Sequence, residues 1–155
     1  MVKRIIILLF SAFAVLSCTV KTEDRTVSVI PQPQHIGMPE KPGSFVLDRD
    51  CAILLDEPTE EMYRIAGFLN EKLSKAAGFT LQIKDVDYGK KEKGIYFMNA
   101  GNPSEAYNLH VMPEMVVVDY GDGAGAFYAL QTIIQLLSNQ KILFIDAYQI
   151  SIIML

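Results

Sequence analysis

The sequence has no tryptophan, and its 155 residues include only two cysteines and two histidines. The histidines, His35 and His110, lie far apart and away from any Cys or carboxylate at metal-ligand spacing, so we expect no metal site and no cofactor. Basic residues are in the minority, with 14 Lys and Arg against 18 Asp and Glu, a net charge of −4. A nucleic-acid-binding domain has a basic excess, so that class is excluded. The half-apolar composition (50%) also excludes a disordered chain.

The N-terminus has an apolar run, but it is too short to span a membrane. A membrane-spanning helix needs about 18 or more apolar residues, and Ile5–Val15 is shorter. It follows Lys3 and Arg4 and precedes small residues, as a secretory signal peptide does. The run closes with Val15-Leu16-Ser17-Cys18, which resembles the lipobox of bacterial lipoproteins. That resemblance implies that Cys18 is acylated, so we expect export and lipid anchoring to the cell envelope; ordinary secretion is the alternative.

Cleavage before Cys18 leaves Cys51, within the apolar run Cys51–Leu55, as the only other cysteine. If Cys18 is acylated, we predict that Cys51 is a buried apolar residue. A Cys18–Cys51 disulfide is the alternative in an oxidising compartment. We divide the chain into a signal peptide (1–17), a polar tether (18–26), a domain (27–138) and a divergent apolar tail (139–155).

Two helices are predicted. The first begins near Glu57-Pro58-Thr59, with a proline, a hydroxyl cap and carboxylates, and ends at Gly78. The second covers Asp122–Leu137. Apolar residues at helical spacing define the expected core faces: Met62, Ile65, Ala66, Leu69, Leu73 and Ala76 in the first helix, and Phe127, Leu130, Ile134 and Leu137 in the second.

The rest of the domain has the pattern of short strands. Tyr107–Met112 alternates apolar and polar residues, and Pro113-Glu114 joins it to Met115–Val118 in a hairpin. The other predicted strands are Val27–Ile30, Phe45–Leu47, Cys51–Leu55, Thr80–Lys84 and Gly94–Met98. Runs of strands with only two helices predict an α+β fold, a mixed or antiparallel sheet with both helices on one face.

Motifs that could carry chemistry are weak. Gly121–Ala126 stands between a strand and a helix, but it lacks the third glycine of a dinucleotide fingerprint and the Lys-Ser/Thr of a phosphate loop. We interpret it as a tight turn with close helix–sheet packing. Asp56-Glu57 precedes a helix, so helix capping is its expected role rather than acid–base catalysis. His110 lies on the polar side of its strand and is expected to be solvated. No serine has the context of a nucleophile.

Exposed aromatic residues are common in sugar-binding clefts. Here Phe68, Phe97, Phe127 and Tyr128 fall within regular elements, so we predict that they pack in the core. The tail, by contrast, contains two apolar and β-prone runs, Ile142–Ile145 and Ile150–Leu155. Unless they pair with the sheet, they are an aggregation hazard.

Several stretches, read in order, resemble one known module. These are Val29–Gln34 with Gly43–Leu47, the strand Glu105–Val111, and the helix Ala124–Thr132 followed by Gln135–Leu137. Together they resemble the N-terminal, non-catalytic domain of bacterial β-N-acetylhexosaminidases, glycoside hydrolase family 20. The resemblance implies an α+β domain of zincin-like shape that holds no metal. It also implies a partner, the (β/α)8 barrel that carries the active site and removes terminal N-acetylhexosamine from glycans.

No catalytic residue is predicted in this chain. The family's catalytic Asp-Glu pair follows a His and glycines inside the barrel, and Asp56-Glu57 lacks that context. A barrel takes about 250 residues, more than remain after Leu137. We therefore expect the non-catalytic leading part of a hexosaminidase, ended by a premature stop, a frameshift or an incomplete gene. A free-standing lipoprotein that binds a glycan or a protein is the alternative.

Overall fold

A computed structural model describes residues 29–30, 32–37, 43–138, 144–146 and 149–152. The predicted signal peptide, Cys18 and the tether lie outside these residues. Two helices are present in the described part, α1 (Glu60–Ala77) and α2 (Gly123–Ser138). The strands, in chain order, are β1 (His35–Gly37), β2 (Ser44–Val46), β3 (Ala52–Leu55), β4 (Gln82–Asp85), β5 (Gly94–Asn99), β6 (Tyr107–Met112), β7 (Met115–Tyr120), β8 (Phe144–Asp146) and β9 (Gln149–Ile152).

Seven strands form one mixed sheet in the order β1-β9-β6-β7-β5-β3-β4, and β2 pairs with β8 separately. The pairs β3–β4, β3–β5 and β5–β7 are parallel, while β6–β7, β6–β9 and β1–β9 are antiparallel. The helices pack against each other, and α2 packs on β6 and β7. The predicted fold class, α+β with a mixed sheet and two helices, is confirmed. The parallel pairing was not predicted; β3, α1 and β4 form a local β-α-β unit.

Both ends of α1 follow from local chemistry. The Thr59 side chain accepts a hydrogen bond from the Met62 N–H (3.2 Å), Glu60 follows in the first turn, and Gly78 takes the left-handed conformation (φ 71°) that ends the helix. The predicted core face is buried except at Ala76, which is exposed. The prediction for Ala76 is wrong, because the buried face of α1 ends at Leu73.

The β6–β7 hairpin is confirmed, with Met112 opposite Met115 across the turn. Its inward side chains are buried, and the Tyr107 hydroxyl bonds Thr132 of α2 at 2.6 Å. This buried hydrogen bond joins the sheet to the helix layer, since neither hydroxyl can reach water there.

The N-terminal segment joins the domain beside α2. Val29 is buried, and the Gln135 side-chain amide accepts from the Ile30 N–H (2.8 Å) and donates to the Ile30 carbonyl (2.9 Å). The predicted strand Val27–Ile30 is wrong for Val29 and Ile30, because a side chain rather than a neighbouring strand takes these backbone bonds. Val27 and Ser28 lie outside the described residues.

The apolar tail contributes strands. Residues 144–146 pair with β2, and residues 149–152 insert between β1 and β6. Ile145 is 2% exposed and belongs to the core. These parts of the tail are therefore paired with other strands, and the aggregation hazard expected for an unpaired tail does not apply to them.

Candidate docking groove and the predicted site residues

A groove of about 420 Å³ lies between α1 and α2. Its walls include the rings of Phe68 and Phe127, whose centroids are 5.7 Å apart, and the side chain of Ile65. Glu61 and Arg64, whose charged groups approach to 4.0 Å, add an exposed ion pair to the lining. Phe127 is exposed and Phe68 is partly buried, and aromatic side chains that reach the surface are enriched where another protein docks.

Phe127 was predicted to lie in the core, and this is wrong: the residue is 37% exposed. The buried stripe of α2 consists of Ala126, Ala129, Leu130, Ile133, Leu136 and Leu137. Its small alanines let the helix lie close to the sheet, and Phe127 points about 100° away from Ala126, toward α1. Phe68 and Tyr128 are only partly buried, whereas Phe97 is buried as predicted. Counting both alanines as apolar would have located this stripe.

The space beside the glycines of Gly121–Ala126 is filled by another loop of the chain, residues 102–106. A Cβ at Gly121 would lie 2.3 Å from the Asn102 and Pro103 carbonyl oxygens, and one at Gly125 would lie 2.5 Å from the Ala106 carbonyl oxygen. These contacts show that the glycines permit close packing of the 102–106 loop. The interpretation of Gly121–Ala126 as a site of close packing is therefore supported, but the neighbour is the 102–106 loop rather than the sheet.

The Asp122 side chain accepts hydrogen bonds from polar groups around the start of α2. Its carboxylate accepts from the Gly125 N–H (2.9 Å), the Ser104 hydroxyl (2.6 Å) and the Glu105 N–H (3.1 Å). The Ser104 hydroxyl, followed by the Gly125 N–H, holds the pKa of Asp122 below its usual value. A phosphate at this helix end would meet a carboxylate, so the loop is not built for an anion.

Asp56 and Glu57 lie at the carboxyl edge of the parallel strands, before the N-cap residue Thr59. Asp56 accepts a hydrogen bond from the Tyr88 hydroxyl, and Glu57 accepts one from the Asn99 side-chain amide (2.8 Å). The capping role predicted for this pair is wrong, because the Thr59 hydroxyl caps the helix. Burial, followed by the charges of Glu57 and Asp56, raises the pKa of the nearby Tyr120 to about 12.

The two histidines lie on different parts of the sheet. His35 is exposed on β1. His110 is half-buried, and its Nε2 lies 3.4 Å from a carboxylate oxygen of Asp119. The prediction of a solvated, isolated His110 missed this partner, although the hairpin register brings residues 110 and 119 to diagonal positions. Within the described ranges, no three His, Cys, Asp or Glu residues come together in a way that could hold a metal ion.

Cys51 is buried and free in the described part of the chain. Its thiol lies 3.4 Å from an Asp48 carboxylate oxygen and 3.7 Å from the Val46 carbonyl oxygen. Burial raises the pKa of the Cys51 thiol, so this sulfur is poorly reactive. The alternative roles of Cys18 lie outside the described residues. In the same described part, no helix has the length and hydropathy needed to span a membrane.

The fold defines the class as an α+β domain with two helices on a mixed sheet. Comparison with known families places it further: the family model described as glycosyl hydrolase family 20, domain 2, matches residues 26–151. The chain therefore belongs to this family. No curated protein sequence matches the chain.

Solved structures agree. The GH20 β-N-acetylhexosaminidase of Streptomyces coelicolor A3(2) superposes with a TM-score of 0.65 and 25% identity, over 79% of this chain and 26% of that enzyme. The GH20 exo-β-N-acetylglucosaminidase of Vibrio harveyi, solved with N-acetylglucosamine, gives 0.60 and 25% over 79% of this chain and 18% of that one. The Bacteroides fragilis β-N-acetylhexosaminidase, 18% identical with a TM-score of 0.58, shares the fold. This chain thus spans about a quarter or less of these enzymes.

Proposed function

We propose that this chain is the non-catalytic N-terminal domain of a lipid-anchored β-N-acetylhexosaminidase, which holds the catalytic barrel through the groove between α1 and α2. The observation that carries the proposal is the pair of aromatic side chains in that groove. Phe127, at 37% exposure, is a large apolar residue left in water beside Phe68. Covering these rings with another domain removes apolar surface from water.

The groove also supplies a means of orienting the partner. Gly123 leaves room for the Glu61 carboxylate, since a Cβ there would lie 2.4 Å from the carboxyl carbon. Glu61 therefore lies against the positive end of the α2 dipole. With Arg64 nearby, this gives the apolar groove a fixed charged end that selects one direction of docking.

The polar edge of the sheet supports a non-catalytic role. The carboxylates there are held by hydrogen bonds, Asp56 to the Tyr88 hydroxyl and Glu57 to the Asn99 side-chain amide. Hydrolysis of a glycoside needs an acid placed at the leaving oxygen. In this proposal, the barrel supplies that acid, and the substrate is a glycan ending in N-acetylhexosamine.

The activity is tested with the purified full chain and a chromogenic N-acetyl-β-glucosaminide. We expect no hydrolysis above the buffer rate, and turnover would refute the non-catalytic role. Sequencing the gene region that follows the Leu155 codon tests the enzymatic parent. We expect barrel-coding sequence there, and its absence in every reading frame contradicts the proposal.

Docking is tested by co-expressing that barrel with this chain and measuring co-purification. Phe127→Ala is expected to weaken the complex by about 30-fold, the usual scale for a central aromatic residue. Tyr63→Ala is the matched control, since Tyr63 is a similarly exposed aromatic side chain on α1 (41%) that does not line the groove. Equal effects of the two variants reject the groove as the docking surface.

The lipid anchor is tested on Cys18. Growth with a labelled fatty acid is expected to label the wild-type chain and the Cys51→Ala variant but not Cys18→Ala, and intact mass is expected to show loss of residues 1–17. An unlabelled, water-soluble mature chain would instead indicate ordinary secretion. A mass two hydrogens below that of the reduced chain would indicate the Cys18–Cys51 disulfide.

A further inference from the structure

Another concave surface, among the described residues, lies on the sheet face opposite the helices. Residues 86–93, called here the strap, connect the parallel strands β4 and β5, which lie on either side of β3. Ile53 and Leu55 of β3 belong to the core cluster that includes the buried face of α1, whereas residues 86–91 lie over side chains of β5 and β7 that are outside this cluster, so the strap is on the opposite face of the sheet. Leu54 of β3 alternates with these two residues and lies outside the core cluster, yet it is only 2% exposed, as expected for a side chain beneath the strap.

Hydrogen bonds fix the strap on the sheet. Tyr96 of β5 donates its hydroxyl to the Glu92 carbonyl (2.7 Å) and accepts from the Glu92 N–H (3.2 Å). Lys84 of β4 forms an ion pair with the Glu92 carboxylate (2.7 Å). At the other end, the Tyr88 hydroxyl donates to Asp56. The strap is therefore attached to the sheet near both of its ends and can form one wall of a binding site.

A cleft of about 460 Å³ lies between strap residues 86–91 and the sheet. Its floor is made by Tyr96, Met98, Met115 and Val117, and Tyr88 is a 76% exposed ring on the strap side. Ligand sites commonly have volumes of about 300–1,000 Å³, with mainly apolar and aromatic walls and a few polar groups. The strap cleft fits this description.

The side chains that line the cleft carry a net charge of +1, although the chain as a whole is acidic. Lys90 and Lys91 line it together with a single carboxylate, Asp87, which lies 3.5 Å from Lys90. Among the described residues, Lys91 has no carboxylate within ion-pair distance. One cationic group is thus available to a ligand at the edge of an apolar floor, in a chain with a net charge of −4.

We propose that the strap cleft binds a glycan that carries both an N-acetylated sugar and a carboxylate. The C–H groups on one face of a pyranose ring suit the Tyr88 ring, the acetamido methyl suits the Met98 and Met115 floor, and the carboxylate meets Lys91. The choice of an N-acetylated sugar rests on the proposed function. The carboxylate is chosen from the charge of the cleft.

The test titrates the full chain in detergent with two disaccharides: N-acetylglucosaminyl-N-acetylmuramic acid, which has a carboxylate, and neutral di-N-acetylchitobiose. Tyrosine fluorescence can report binding because the chain has no tryptophan. We expect the acidic disaccharide to bind about two- to fivefold more tightly, the scale of one exposed ion pair. Lys91→Gln is expected to remove that preference, and Lys75→Gln on α1 to leave it.

Tyr88→Ala is expected to weaken both disaccharides about three- to tenfold, the scale of one aromatic contact. Tyr63→Ala is the matched control, since Tyr63 is another exposed tyrosine whose hydroxyl bonds an aspartate, Asp85 (2.9 Å). Amide chemical shifts are expected to change within residues 86–91, 96–98 and 115–117. Absence of binding, binding mapped elsewhere, or concentration-dependent dimerisation that Tyr88→Ala abolishes would overturn the proposal.

The barrel co-purification assay separates the two proposals. Docking without disaccharide binding rejects the strap cleft alone. Disaccharide binding at the cleft without docking supports the cleft and rejects the barrel-holding role of the groove.

Discussion

Two helical glycines are expected to respond in opposite directions to the same substitution. In a helix interior, replacing Gly by Ala usually stabilises a protein by about 0.5–1 kcal/mol, because alanine lowers the backbone entropy of the unfolded chain. Gly67 of α1 is exposed, and no neighbouring atom lies within 4 Å of the position that a Cβ would take there, so Gly67→Ala should show this gain. Gly125 of α2 lies against the backbone of the 102–106 loop, where the same methyl group meets the Ala106 carbonyl oxygen at 2.5 Å.

The methyl group at Gly125 must push α2 from the loop or bend the loop away. Overpacking of this kind costs about 1–3 kcal/mol, which exceeds the helix gain, so we expect Gly125→Ala to destabilise the fold by about 1–2 kcal/mol. Urea unfolding followed by circular dichroism measures both variants against wild type. If Gly125→Ala raises the unfolding midpoint as Gly67→Ala does, the close approach of the loop is not a constraint and the structural interpretation of the glycine motif fails.

Three further predictions concern hydrogen bonds. Thr132→Val should cost about 1–3 kcal/mol because it leaves the buried Tyr107 hydroxyl unpaired, and adding Tyr107→Phe should recover part of that loss in urea unfolding. Gln135→Ala should speed hydrogen exchange at the Ile30 amide with little change in slow-exchanging strand amides; unchanged exchange would contradict the clamp. The folded pKa of Asp122 is lowered, so its stabilising effect is present above the unfolded pKa of about 3.9 and is lost as pH falls through the folded value. Asp122→Asn should therefore reduce the difference between the unfolding midpoints at pH 7 and pH 3, and an unchanged difference would refute this.

Local sequence patterns predicted the individual helices and strands better than the order and direction of the strands in the sheet. Thr59 and Gly78 mark the ends of α1 through chemistry within one turn, and Pro113-Glu114 sets the β6–β7 register. The parallel pairs around β3 depend on contacts between distant segments, which no local pattern shows. The same holds for residues 149–152, whose place between β1 and β6 is set by the sheet rather than by the tail.

The candidate site residues likewise divide into those that local sequence predicted and those that depend on contacts between distant segments. The structural role of the glycine motif could be predicted because the sequence shows that fingerprint residues are missing, but its packing partner, the 102–106 loop rather than the sheet, could not. Phe127 was wrongly predicted to lie in the core because the apolar face of α2 was located from its large side chains. In the structure, the small side chains of Ala126 and Ala129 pack against the sheet instead. Lys91 and Tyr88 gave no signal, since a charged turn has the same composition whether it extends into solvent or crosses a sheet.

The carboxyl edge of the parallel strands is where α/β proteins usually place their ligands, and here that edge is closed by the chain itself. Asp85 and Asp56 each accept a tyrosine hydroxyl, from Tyr63 and Tyr88, and Asp122 takes the N–H groups that would otherwise bind an anion. A ligand at this edge would have to break these hydrogen bonds before forming its own, and a typical hydrogen bond contributes about 0.5–1.5 kcal/mol. The two faces carry no such cost, because Phe127 and the cleft floor leave apolar surface in water that a partner can cover. Both of the proposed binding surfaces therefore lie away from this edge, on the helix face and on the strap side, and the hydrogen bonds of the edge hold the strands and helices between them.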